Sequence, residues 1–199
     1  MSKLFLYGAG GHAKVVAEIA ELNGYENIVF CEDEPTKNKL LDYEVLGVLG
    51  ENEDCLLAIG NNSVREKLAR SLPNKFVKLI HPQINISKRS EVGIGTVIMA
   101  GVTINSEATV GKHCIINTNA SIDHDCVIED YVHLSPNVAL AGNVTIGEGT
   151  HVGIGACVIQ GIKVGRWCTV GAGAVVIRDV PDGATIVGNP ARIIKQKEL

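Results

Sequence analysis

From Ile86 to Val176 an aliphatic residue recurs at every sixth position without a single insertion. The series is Ile86, Val92, Ile98, Ile104, Val110, Ile116, Ile122, Ile128, Leu134, Leu140, Ile146, Val152, Val158, Val164, Val170 and Val176. Four places after each stands a second, mostly small class: Ser90, Thr96, Val102, Ala108, Cys114, Ala120, Cys126, Val132, Val138, Val144, Thr150, Ala156, Ile162, Cys168, Ala174 and Val180, in which only Ile162 is large. A helix would repeat its apolar face every 3.6 residues and a plain strand every two. A period of six with i and i+4 turned inward means a short strand followed by a turn. Three such units close a triangular coil of 18 residues, and successive coils stack at the strand spacing of about 4.8 Å. The position after the aliphatic is often Gly or small and polar (Gly93, Asn105, Gly111, Asn117, Asp123, Gly147, Gly153, Gly165, Gly171), which suggests that the left-handed turn geometry sits there. A sandwich of ordinary strands would need loops of varying length, and this stretch has none.

Composition suits a thin stacked core. Aromatic residues are only 4% of the 199, against 46% apolar overall, so Ile, Val and Leu must fill the interior. A formal net charge of −4 implies no basic face, which argues against nucleic acid or anionic membranes as partners. The cysteines (Cys31, Cys55, Cys114, Cys126, Cys157, Cys168) form no CxxC pair. No apolar run approaches the length of a membrane span, and the apolar start KLFLYGAGG lacks the layout of a signal peptide. A cytoplasmic protein with reduced thiols is expected.

The first 80 residues read differently. LFLYG (Leu4 to Gly8) is a buried strand. AGGHAKVVAEIAELNG (Ala9 to Gly24) is a glycine turn opening a helix, with Val15, Val16, Ile19, Ala20 and Leu22 on its apolar side and Gly24 as cap. NIVFCEDE and CLLAIGNN are further strands, SVREKLARSL a second helix, and FVKLIHP leads out. Alternating strands and helices indicate a small parallel α/β, Rossmann-like domain over residues 1–80, with the β-helix and its tail over 81–199. The turn GAGGHA fits G-x-G-x-x-A, and Glu32 and Asp33 lie near where such a domain keeps its ribose-binding acid. A second mononucleotide half is missing, so the site suits one nucleotide diphosphate at a helix N-terminus.

The combination of YGAGGHAKVV, an IGNN strand end, SIDHDCVIEDYVHL and AGNVTIG resembles, over essentially the whole chain, the bacterial nucleotide-sugar N-acetyltransferases of the bacillosamine and related 4-amino-sugar pathways, the PglD/NeuD type. VPDGATIVGNPAR resembles hexapeptide-repeat acyltransferases in general. The resemblance implies a left-handed parallel β-helix, acetyl-CoA as co-substrate, a nucleotide-linked (UDP above all) 4-amino-4,6-dideoxy sugar as acceptor, no metal, and a homotrimer with active sites between subunits. His124 matches the general base and Asp125 the acidic neighbour that raises its basicity. His133, Ile154 and Ala172 match acetyl-CoA contacts. Gly10, Gly11 and His12 match the diphosphate turn, Glu32 and Asp33 an acidic pair at the nucleotide, and Gly60 a further substrate contact. Where relatives carry Asp-Asp, this chain has Glu-Asp, so the nucleotide stays open.

The residues themselves support that chemistry. Acetyl transfer to an amine needs a base titrating near neutrality, and histidine supplies one. Asp123 and Asp125 both flank His124, and either could pair with it, because the alternation of strand neighbours relaxes at a corner. His124 occupies such a corner and should point outward. Gly142, 18 residues on, lies one coil above it, and its amide could donate to an oxyanion. His133 and His151, also 18 apart, should stack on one face. A groove lined by these histidines on adjacent prisms is expected. His113 and His81 read as structural, and Cys114, Cys126 and Cys168 as small core residues. Two other classes compete with this reading: an O-acetyltransferase acting on a sugar or sialic acid hydroxyl, and a γ-type carbonic anhydrase holding zinc with three histidines, against which the N-terminal domain and the Asp-flanked histidine both argue. A non-catalytic sugar-nucleotide binding protein is a further alternative, separable by its indifference to loss of His124.

Overall fold

The computed structural model of the chain describes residues 3–47 and 53–198. It begins with β1 (Lys3–Tyr7), α1 (Gly11–Leu22), β2 (Asn27–Cys31), β3 (Lys39–Leu40), β4 (Tyr43–Leu46), β5 (Asp54–Leu57), α2 (Asn62–Ser71) and β6 (Lys75–Phe76). These strands form one sheet in the order β3-β4-β2-β1-β5-β6, parallel except for the β3–β4 pair. The alternating strands and helices expected from the sequence are present. The hairpin of β3 and β4 was not expected, because its turn is made by Leu41 at φ 52 and carries no glycine signal. The apolar side of α1 also needs correction. Ala13, Val16, Ala17, Ile19 and Ala20 are buried, whereas Val15 and Leu22 are exposed. Small residues face the sheet and let the helix approach it closely. Gly24, at φ +84, follows the C-cap Asn23 as anticipated.

The rest of the chain is a triangular prism, a left-handed parallel β-helix. On its first face Leu79–Ile80, Val97–Ile98, Ile115–Ile116, His133–Leu134, His151–Val152 and Thr169–Val170 pair in parallel, each with the strand 18 residues on. The second face carries Asn85–Ile86, Thr103–Ile104, Ser121–Ile122, Ala139–Leu140, Cys157–Val158 and Val175–Val176. The third carries Glu91–Val92, Thr109–Val110, Val127–Ile128, Thr145–Ile146 and Lys163–Val164. An antiparallel hairpin, Ala184–Val187 with Arg192–Gln196, closes the C-terminal end of the first face.

The aliphatic and small classes meet along the prism axis in one continuous core from Ile98 to Ile186. Thr96 and Thr150, polar members of the small class, are fully buried but satisfied. Their hydroxyls donate to the Gly111 and Gly165 carbonyls at 2.8 and 2.7 Å and accept from the Cys114 and Cys168 amides.

The corner geometry departs from expectation. Left-handed backbone falls three places after each core aliphatic, not one. Gly95, Gly101, Glu107, His113, Asn119, Asp125, Tyr131, Asn137, Asn143, Gly149, Gly155, Gly161, Trp167 and Gly173 all have φ between 53° and 73°. Glycine one place after the aliphatic answers a different need. A Cβ on Gly93 would stand 2.6 Å from the Gly111 carbonyl carbon, and one on Gly147 2.6 Å from that of Gly165. The coils touch there. The same substitution should therefore have opposite outcomes at the two kinds of glycine. Gly155→Asn, at a left-handed and open position, should change unfolding free energy by less than about 0.5 kcal/mol. Gly147→Asn should cost about 1–3 kcal/mol or more through overpacking, read by denaturant titration.

No described helix is long and apolar enough to cross a membrane. The N-terminal unit shares its core with the prism. Leu79, Val97, Met99 and Ile115, all on the outside of the first face, join Leu4, Val16, Phe30 and their neighbours in one buried cluster. One prism face is thus covered by the α/β unit, and the corner between the second and third faces is the vertex opposite it.

Candidate active site

The turn from β1 into α1 builds the floor of a cleft of about 840 Å³. Gly10, Gly11, His12, Glu32, Asp33 and Gly60 all line it, so the six substrate positions expected from the sequence come together. Gly8 explains why the turn is tight: it sits at φ +115, and a Cβ would meet the Ala58 carbonyl oxygen at 2.8 Å. At Gly10, Gly11 and Gly60 a Cβ would meet no protein atom within 4 Å. These three glycines are not demanded by packing, and what they keep open is the cleft itself. Helix α1 starts there with no side-chain cap and no acid in its first turn, leaving its amides free for an anion. Tyr7 donates its hydroxyl to the Asp33 carboxylate, and Lys37 donates to the Ala9 carbonyl at 2.6 Å, tying the loop after β2 to the glycine turn. Tyr7, Lys37 and the cleft-lining Lys67 were not anticipated, since single polar residues in loops and on a helix carry no spacing signal.

His124 lies on the vertex between Ser121–Ile122 and Val127–Ile128, exposed on 60% of its side chain. Its Nδ1 is 2.7 Å from Oδ2 of Asp125. Asp125 is one of the left-handed corner residues, and that twist returns its carboxylate to the same side as the imidazole. Asp123 is occupied otherwise, accepting from Asn105 Nδ2 and the His124 amide, both at 2.8 Å. A carboxylate accepts only, so Nδ1 carries the proton and Nε2 presents its lone pair. The hydrogen bond to Asp125, with the Asp123 charge behind it, pushes the His124 pKa up. Gly142 sits directly over the ring: a Cβ there would be 2.5 Å from Cε1 and 2.6 Å from Nε2. Its carbonyl accepts from the Gly161 amide at 3.0 Å.

The remaining histidines are buried at the junction. His133 and His151 stack with centroids 4.7 Å apart, as their spacing implied. Burial first, then the charges of His151 and Arg65, lower the His133 pKa to about 3. Burial and Arg65 lower His12 to about 4. His12 Nε2 and His133 Nδ1 have no hydrogen-bond partner among the described residues, so each can still receive one from a ligand. His113, packed between Phe76 and Tyr131, is structural as expected. Ile154 and Ala172, one coil apart on the corner between the first and second faces, are exposed. Among the described residues no group of three or more His, Cys, Asp or Glu is placed to hold a metal ion, so the three-histidine site of the anhydrase alternative is not formed. A second cleft of about 520 Å³ holds Arg166 and Asp182, but these are paired to each other at 2.9 Å and bring no base to a nucleophile.

Two outcomes follow for His124. In an NMR titration its imidazolium should persist to higher pH than that of an unpaired histidine, and Asp125→Asn should move the midpoint down. Asp123→Asn should move it less, since Asp123 makes no contact with the ring.

Comparison with known proteins agrees with this geometry. The family model described as the PglD N-terminal domain matches residues 3–72. A UDP-N-acetylbacillosamine N-acetyltransferase of Bacillus subtilis is 44% identical over 113 residues, 50% of this chain and 52% of that protein, so the match spans about half the length of that curated relative. The acetyltransferase domain of PglB from Neisseria gonorrhoeae, solved in complex with acetyl coenzyme A, is 40% identical with a TM-score of 0.92, covering 96% of this chain and 98% of that one. Without that ligand the same domain is 39% identical, also at a TM-score of 0.92, over 98% and 100%. A variant of perosamine N-acetyltransferase from Caulobacter crescentus, solved with CoA and GDP-perosamine, is 36% identical with a TM-score of 0.92, over 98% of each chain. With its fold and cleft shared along nearly the full length of these domains, the chain belongs to the PglD-type family of nucleotide-sugar N-acetyltransferases.

Proposed function

We propose that the protein transfers the acetyl group of acetyl-CoA to the 4-amino group of a nucleotide-linked 4-amino-4,6-dideoxy sugar, with His124 as general base. The observation that carries this is the outward Nε2 of His124, held as a lone pair by the Asp125 hydrogen bond. The ligands in the titles of the solved relatives, acetyl coenzyme A in one and CoA with GDP-perosamine in another, give the two substrate classes. The Bacillus relative favours UDP and the Caulobacter relative GDP.

In this reading the diphosphate lies on the Gly10–Gly11–His12 turn, with Glu32 and Asp33 toward the nucleoside and Gly60 beside the sugar. Acetyl-CoA runs along His133, Ile154 and Ala172. The sugar amine attacks the thioester carbonyl as its proton passes to His124 Nε2. A C–N bond forms, and the oxyanion is met by the Gly142 amide. The tetrahedral species then collapses, the C–S bond breaks, and the leaving sulfur takes the proton back from the imidazolium. Asp125 stabilises that imidazolium without itself taking a proton.

The site calls for a second copy of the chain. The nucleotide cleft is attached to the first face, and His124 stands on the opposite vertex of the same prism. A neighbouring prism must therefore bring its own His124 to the cleft, as in a homotrimer. The second face supports this. Its outer side becomes apolar toward the C-terminus, with Ala139, Ala141, Cys157, Ile159 and Ile177, and the last three are exposed in a single chain.

The test is thiol release from acetyl-CoA against UDP-, GDP- and dTDP-linked 4-amino sugars, with hydroxyl acceptors as controls. Turnover on one amino sugar is expected, and turnover only on a hydroxyl would sink the N-acetyl assignment. His124→Ala should lose at least about 10²-fold in kcat. Gly142→Ala, whose methyl would push the imidazole aside, should lose activity comparably while its unfolding midpoint holds. Mixing His124→Ala chains with Gly11→Val chains, whose cleft is filled, should restore activity. Two inactive parents that stay inactive on mixing would rule out a site shared between copies.

A further inference from the structure

The corner of the prism under the N-terminal unit is chemically unfinished by the coil itself. At each corner the amide of the left-handed residue is taken by the coil before it: His113 by the Ile94 carbonyl, Tyr131 by Lys112 and Gly149 by Asp130, all at 2.9 Å. The carbonyl of that same residue has no place in the ladder. On open corners it faces solvent. Between the third and first faces, helix α2 covers it, and the stacked carbonyls of His113, Tyr131 and Gly149, 18 residues apart, need other donors.

Two residues of α2 supply them. Arg65 donates from Nε to the His113 carbonyl at 2.7 Å and from Nη2 to the Tyr131 carbonyl at 2.8 Å. Asn62 donates to the Gly149 carbonyl at 2.9 Å and accepts from Arg65 Nη2 at 2.8 Å, joining the two into one clamp over three coils. The remaining donor used, Nη1, reaches back to the Ile59 carbonyl at 2.9 Å, one residue before Gly60 in the cleft. Arg65 is 1% exposed and has no ion-pair partner among the described residues. A guanidinium buried without a carboxylate is costly, and its charge is spread here over neutral acceptors. A docking contact alone would be met by an uncharged side chain. The fork that reaches two prism coils and the cleft edge at once is what only arginine provides.

We propose that Arg65 is a positioning residue. It ties the Ile59–Gly60 edge of the nucleotide cleft to consecutive coils of the prism, and so sets where a cleft-held sugar stands relative to an acetyl group carried on that prism. This rests on the acetyltransferase reading above. Each substrate is bound by one half of the molecule, and Arg65 touches neither, so it acts on their alignment. A displacement of about 1 Å at the reacting atoms costs on the order of 10²-fold in rate.

The experiment is steady-state kinetics and nucleotide titration on full-length Arg65→Lys. Lysine keeps the charge but can serve only part of the fork. The expected result is a kcat lower by roughly 10–100-fold, with the calorimetric Kd for the cognate nucleotide and the KM for acetyl-CoA each within about threefold of wild type. Full kcat in a folded Lys variant would overturn the proposal. So would a Kd and KM that worsen in step with kcat, which is the signature of a merely structural role. Hydrogen exchange on the wild-type protein supplies a readout independent of turnover and of any variant's folding. The α2 amides from Arg65 onward should exchange as slowly as those of the prism strands, and exchange at the rate of frayed ends would refute the clamp. A wild-type protein inert on every amino sugar but with protected α2 amides would count against the enzymatic reading alone and leave the mechanical tie standing.

Discussion

Every feature of this molecule hangs on the closure of an 18-residue coil. Because each amide and carbonyl of a prism strand pairs with the residue 18 places before or after it, a single insertion would move every later side chain off its stack. Closure also requires one residue per hexad to adopt left-handed backbone, at a cost of about 1–2 kcal/mol wherever that residue is not glycine. The chain accepts this at Glu107, His113, Tyr131 and Trp167. The ladder and the axial core offset it, since each fully buried Val, Leu or Ile contributes about 1.5–3 kcal/mol. The residues so constrained include those that matter at the two functional corners. Asp125 is turned back toward His124 by the same twist that exposes the Tyr131 and His113 carbonyls to Arg65.

The prism thus acts as a ruler with three differently used sides. Its first face is covered by the α/β unit through Leu79, Val97, Met99 and Ile115. Its third face is polar, with Glu91, Thr109, Thr145 and Lys163 outward. Its second face is apolar toward the C-terminus and uncovered. A base on the vertex opposite the nucleotide cleft is of no use to that cleft, so the separation that makes one chain a poor enzyme is what makes an assembly of chains a plausible one. Exposure also explains the electrostatics. His124 in open surroundings is tuned upward by a carboxylate, while His12, His133 and His151 near a buried arginine are held neutral.

Legibility in the sequence followed periodicity. The core positions, the outward His124 and the stacking of His133 on His151 were all readable from the spacing of six. The reason for the glycines was not. The letter G is the same at Gly147, where a neighbouring coil presses, and at Gly155, where φ is positive, and only coordinates separate the two. The pairing of His124 with Asp125 over Asp123 turned on a corner dihedral that no residue type specifies. The docking of the α/β unit did leave a trace, aliphatics at the outward positions Val97 and Ile115, but a second apolar residue in a hexad reads as ordinary variation.

By itself, then, the sequence determined the coil, the α/β unit, the cleft residues and the histidine to watch, because these follow from local pattern and from short motifs read along one strand of chain. Tertiary structure decided which carboxylate serves that histidine, which face the N-terminal unit covers, and how Arg65 and Asn62 join the two. Those depend on contacts between residues 48 to 87 positions apart, where neither spacing nor propensity carries information and only the folded geometry brings donor to acceptor.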